Sequence, residues 1–146
     1  MQPPPLYYTS LIFLIPSIYG QGTTIGKLYT IVTALSVLNH GKDHETYVGK
    51  SIVKAADRLV AHIAALVMAT DSITLLCNPN TMWHAITFQL CLVYCTINYY
   101  IIQKNAKSLD IENWWHVTLH FASLIGGMAI LHSNKKLLSK HFLEEV

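Results

Sequence analysis

Five apolar stretches, separated by polar or turn-forming clusters, set the pattern of the chain: residues 6–19, 25–38, 52–69, 82–102 and 114–131. Each exceeds the length of an ordinary strand, so the pattern predicts helices. The last two approach the ~20 residues that cross a bilayer. The first is short, contains Pro16, and spans only with help from Tyr7, Tyr8 and Tyr19 at the headgroups. The second has Lys27 near its start, where a long basic side chain can snorkel, and the third carries Asp57, Arg58 and His62, which a lipid-facing helix does not tolerate at depth.

The intervening segments are residues 20–24, a tight turn; 41–50, a polar loop; 71–80, containing Asn78-Pro79-Asn80; and 104–113, which is charged. Residues 134–146 read as a polar tail, a short amphipathic helix at the membrane surface or in solution. The expected fold is an all-α polytopic transmembrane bundle of about five spans, one membrane-embedded domain over residues 1–146. With five spans, the end of the second helix, the start of the third and the start of the fifth share one membrane face. Those three helices are expected to be mutual neighbours. Lys42, Lys50, Lys54, Arg58, Lys104 and Lys107 flank that face, against Lys27, Lys135, Lys136 and Lys140 opposite, which directs it toward the cytoplasm.

Composition strengthens the membrane reading. Charged residues make up 12% and hydrophobic ones 52%, with mean hydropathy +0.36, whereas a soluble domain carries roughly 25% charge. A net charge of +2 without a basic run excludes nucleic acid as the expected partner and leaves membrane lipids, and protein partners within the membrane. Cys77, Cys91 and Cys95 form neither a CxxC pair nor an even-numbered framework, and read as small buried hydrophobes. Residues 1–5 lack a basic n-region, so the first apolar segment is expected to be retained.

The candidate chemistry lies on the shared face. Ser36 and His40 close the second segment as Ser-x-x-x-His, Asp57 lies early in the third, and His116 and His120 open the fifth as His-x-x-x-His. Residues four apart share a helix face, so two imidazoles can meet one point. Three imidazoles with a fourth position open to water are the ligand set of a catalytic zinc site, and zinc lowers the pKa of such a water to about 7. Asp57 would then accept a hydrogen bond from that water or serve as general base, and Ser36 would orient the nucleophile or donate to a developing oxyanion. The competing reading is that these groups hydrogen-bond headgroups and water, with Asp57 paired to Lys54 or Arg58. With eight histidines in the chain, either four-residue spacing alone is weak, and the joint order carries more.

The order Ser-x-x-x-His, Asp, His-x-x-x-His, each on its own hydrophobic helix, resembles the CREST superfamily of alkaline ceramidases, progestin and adiponectin receptors and Per1-like proteins. The resemblance rests on Ser36, His40, Asp57, His116 and His120. It implies zinc on the three histidines, a lipid amide or ester as substrate, and an internal membrane of the ER or Golgi. The chain departs from the family in length, having room for about five spans where the family has seven.

A different class remains open: a small membrane-anchor or accessory subunit of a larger complex, purely structural or holding a haem b between histidines of neighbouring helices. Among the other histidines, His62 reads as a helix-interface residue with a haem or proton-relay role as the lesser alternative, His84 beside Trp83 as an interfacial anchor, and His44, His132 and His141 as solvated. Tyr99-Tyr100 and Trp114-Trp115 read as belt residues. Gly126-Gly127, with Ala122, Ser123 and Ala129, gives the fifth helix a small-residue face for close packing, and Ala61, Ala64 and Ala65 do the same for the third.

Overall fold

The computed structural model describes residues 5–41 and 47–144, in which helices and short turns account for the chain and no strand occurs. Helices α1 (Pro5–Ser10) and α2 (Leu14–Tyr19) are joined by a 3₁₀ turn, Leu11–Phe13. Pro16 cannot donate to the turn before it, and the ladder tightens to i→i+3 bonds just ahead of it. A turn then reverses the chain into α3 (Thr24–Gly41). Gly22 sits there at φ +88, and the Thr23 hydroxyl accepts the Gly26 N–H at 3.0 Å, capping α3. A Cβ on Gly26 would overlap the Gly20 carbonyl, so this corner admits nothing larger than glycine.

Helix α4 (Tyr47–Leu76) is longer than its apolar pattern predicts. Residues 71–76, expected in a loop, stay helical because their polar groups find partners. Ser72 and Thr74 donate to carbonyls three residues back, and Asp71 accepts from Asn134 Nδ2 at 3.0 Å. The turn itself is compact. The Asn78 side chain accepts the Asn80 N–H at 3.0 Å, and buried Thr81 donates to the Leu75 carbonyl at 2.9 Å before α5 (Met82–Ile97) begins.

Beyond Ile97 the helix continues as a π turn, Asn98–Ile102, and a 3₁₀ turn, Gln103–Asn105. The expected charged linker over 104–113 therefore shrinks to three residues. Ser108 caps α6 (Leu109–Glu144), accepting the Ile111 N–H at 3.3 Å, and Asp110 and Glu112 favour its positive N-terminal end. Residues 134–144 are a continuation of α6 and not a separate helix, since neither glycine nor proline interrupts the sequence after Gly127.

Three segments are long and apolar enough to cross a membrane: Ser51–Leu76, Met82–Asn105 and Leu109–Leu137. The broken helix Leu6–Tyr19 is shorter, and α3 has 18 residues. The outer surface agrees with a lipid environment. Ile52, Leu59, Leu66 and Ile73 recur every seventh residue on α4 and are each 62–67% exposed, a stripe that a water-facing helix would fill with polar groups.

The helices close a ring. Helix α3 packs on α4, α4 on α5, α5 on α6, and α1 and α2 complete the circuit between α6 and α3. Helix α6 also touches α4 across the ring, and α3 meets α6 through side chains, Tyr29 against Ser123 and Gly127 and His40 against His116, so these three helices are neighbours as expected. Tyr29 makes the clearest bridge. Its hydroxyl donates to the Ser123 carbonyl at 2.9 Å and lies against Gly127, where a Cβ would overlap it. Gly127→Ala is expected to break this bridge and cost about 1–3 kcal/mol. Gly126→Ala, whose Cβ would stand 3.1 Å from Cys91 Cβ, should cost less. Thermal unfolding of the two variants checks the order, and equal losses would contradict it.

Candidate metal centre

His40 lies in the last turn of α3, and His116 and His120 lie one turn apart on α6. Their rings converge inside the ring of helices. Centroids are 5.1 Å apart for His40 and His116, 5.7 Å for His40 and His120, and 4.8 Å for His116 and His120. One ring nitrogen from each lies within 4.8 Å of the others. Around a tetrahedral zinc, nitrogens bonded at about 2.0–2.1 Å stand roughly 3.3 Å apart, so ligation draws the three rings together by up to about 1.5 Å.

The donor set fits such an ion. His40 Nε2 is buried and has no hydrogen-bond partner, a costly state that a bound cation relieves. His116 Nδ1 is 3.1 Å from Gln103 Oε1, and His120 Nδ1 is 2.9 Å from Thr9 Oγ1. These contacts leave the Nε2 side of both rings for a ligand. His120 is 3% exposed, with Phe13 at 5.0 Å between ring centroids holding its edge.

Ser36 and Asp57 line the same cavity as His116 and His120, which encloses about 220 Å³. Asp57 does not pair with Lys54 or Arg58 through a salt bridge among the described residues. Its Oδ2 accepts from Asn39 Nδ2 at 2.8 Å, which fixes the carboxylate and leaves its other oxygen available. Ser36 is 2% exposed and lies 2.9 Å from Ser10 Oγ. Because Ser10 already donates to the Leu6 carbonyl at 2.8 Å, the Ser36 proton goes to Ser10. Ser36 therefore presents lone pairs to the cavity and accepts there, whereas the sequence reading allowed it to donate.

Away from the histidines the cavity is apolar, walled by Val32, Ala64, Met68, Phe88 and Leu92. From Asp57 to Met68 it follows α4 for about 16 Å at 1.5 Å per residue. The mouth carries more polar groups than belt residues would supply. Arg58 lies 5.5 Å from the Tyr99 ring centre and Lys104 5.5 Å from that of Tyr100, while the Tyr100 hydroxyl is 3.1 Å from His62 Nε2. His62 is thus an interface residue between α4 and the π turn. His84 and His132 meet at 5.3 Å far along α5 and α6 from the triad, with His132 Nδ1 3.3 Å from the Tyr19 hydroxyl. His132 is exposed, as expected, although it is not free of contacts. His44 and Lys42, and the side chains of Lys50, Lys140 and His141, lie outside the described residues.

All five residues singled out in the sequence are brought to one site. Sequence reasoning missed Asn39, Thr9, Gln103 and Asn98. Asn39 had a signal, being adjacent to His40, but Gln103 stands at the edge of what reads as a linker. No protein-family profile, curated protein or solved structure matches the chain.

Proposed function

We propose that the protein is a zinc-dependent, membrane-embedded hydrolase of a lipid amide or ester, of the kind the CREST resemblance implies. The observation that carries the proposal is the convergence of His40, His116 and His120, with a buried unpartnered nitrogen, at the polar end of an apolar cavity. Zinc held there would polarise the substrate carbonyl and acidify a water. Asp57 takes a proton from the attacking water and returns it to the leaving amine or alcohol, so that water adds across the acyl bond and a carboxylic acid departs. Ser36, with its proton committed to Ser10, accepts a hydrogen bond and so orients that water. The apolar wall takes the acyl chain, and exclusion of bulk water strengthens each polar contact at the reacting carbonyl.

The reading includes five spans, with α1–α2 and α3 closing the cavity as membrane-embedded segments beside the three long helices. Edge-to-face contacts within the triad leave no flat slot for a porphyrin, which favours a bare ion over haem. The test is release of fatty acid from a panel of ceramides, acylated amines and lipid esters by protein in detergent or nanodiscs. Activity that disappears on chelation and returns with Zn2+ supports the reading. Zinc-loaded protein that turns over none of the panel contradicts it.

A further inference from the structure

The geometry points to Gln103 and Asn98 as positioning residues that fix the tautomer of His116 through the π turn of α5, an inference that rests on the zinc reading of the triad. The chain of contacts begins at a group whose polarity cannot change. The Trp115 carbonyl can only accept, and Asn98 Nδ2 approaches it at 3.0 Å. That nitrogen also meets Thr118 Oγ1 at 3.0 Å and Tyr94 Oη at 3.1 Å. The Asn98 amide is therefore locked with Oδ1 turned toward Gln103. Gln103 must offer Nε2 to it, at 2.8 Å, and its own Oε1 consequently faces His116 Nδ1 at 3.1 Å. A carbonyl oxygen cannot donate, so Nδ1 carries the proton. The Nε2 lone pair of His116 is left for the ion.

The π turn is what makes this relay reachable. Its i→i+5 bond runs from the Gln103 N–H to the Asn98 carbonyl, placing these two residues side by side on one face. On a regular α-helix, residues five apart point in directions roughly 140° apart at 3.6 residues per turn, and the two amides could not meet. Both are well shielded, Asn98 at 0% and Gln103 at 8% exposure, so water does not compete for the relay. His120 has its own polar partner at Nδ1 on the other side of the ring. Thr9 Oγ1 stands 2.9 Å from His120 Nδ1 and fixes the orientation of that ring, although a hydroxyl, unlike the Gln103 carbonyl, can serve either tautomer. Bonds like that between His116 and Gln103 hold a metal-binding imidazole in tautomer and orientation before the ion arrives, and their loss typically weakens binding 10- to 100-fold.

The experiment uses full-length chain labelled with ¹⁵N-histidine, metal-free and at about pH 8, where an ordinary imidazole is neutral. The His116 signals are identified by their loss in His116→Ala. Expected are a protonated Nδ1 and an unprotonated Nε2 before zinc is added, and zinc bonded to Nε2 afterwards. Gln103→Leu should bind zinc about 10- to 100-fold more weakly while remaining helical by circular dichroism, and should cause no further loss in a His116→Ala background. A protonated Nε2 in the metal-free wild type, or a Gln103→Leu variant that binds zinc as tightly as wild type, would overturn the inference. Should Gln103→Leu fail to fold, the tautomer of the unaltered chain decides alone. That readout needs no metal, so a wild-type chain that binds no zinc ends the hydrolase proposal while the positioning relay is still judged separately.

Discussion

Replacing His120 by alanine is expected to remove zinc from the purified chain and lower its Tm in the same step. His120 is almost fully buried at the centre of the site, between His116, His40 and the Phe13 ring. Its loss takes away one of the three proposed ligands and leaves a void that the surrounding helices cannot fill without moving. Binding of an ion stabilises only the folded state that presents the ligands together, so the added stability disappears with the affinity. The zinc affinity should fall by more than about 100-fold, exceeding the effect of losing an outer hydrogen bond. His132→Ala serves as the control, since His132 is exposed and contacts Tyr19 and His84 away from the triad. Metal analysis with thermal unfolding checks the prediction. Equal zinc content in His120→Ala and wild type would count against a three-histidine site.

Asp57→Asn should separate binding from chemistry. The amide keeps the size of the carboxylate and can still meet Asn39, so the cavity and the metal ligands are retained. What it loses is the proposed base, and the loss of a positioned general base typically lowers a rate by 10²–10⁴. Hydrolysis of the best lipid substrate should therefore drop by about that factor, with zinc content unchanged. Fatty-acid release measured alongside zinc stoichiometry gives the comparison. An Asp57→Asn protein with wild-type turnover would remove Asp57 from the mechanism, and one that also loses zinc would make it a ligand.

The helical nature of the chain and the approximate place of each helix are legible in the sequence because long apolar runs have few alternatives. The helix ends are not. Asp71, Ser72 and Thr74 read as loop residues, yet their polar groups are satisfied by their own helix and by Asn134, a partner 63 residues away that no local pattern reveals. The same division holds at the site. Four-residue spacing displays His116 and His120 directly, and the order of polar residues relates them to Ser36, His40 and Asp57. Gln103 joins the site only because α5 widens into a π turn, and Thr9 because α1 folds back beside α6, 111 residues distant in the chain. The small-residue face of α6 announces close packing at Gly127, but no local pattern reveals that Tyr29 of α3 is the side chain that fills it.

The central claim, that His40, His116 and His120 hold one ion together, is tested most directly by zinc X-ray absorption on full-length protein purified without chelators and given one equivalent of Zn2+. The account predicts uptake of about one zinc per chain, bonded to three imidazole nitrogens at about 2.0–2.1 Å with a fourth light ligand. No uptake, or a zinc–sulfur distance near 2.3 Å indicating cysteine ligation, would contradict it.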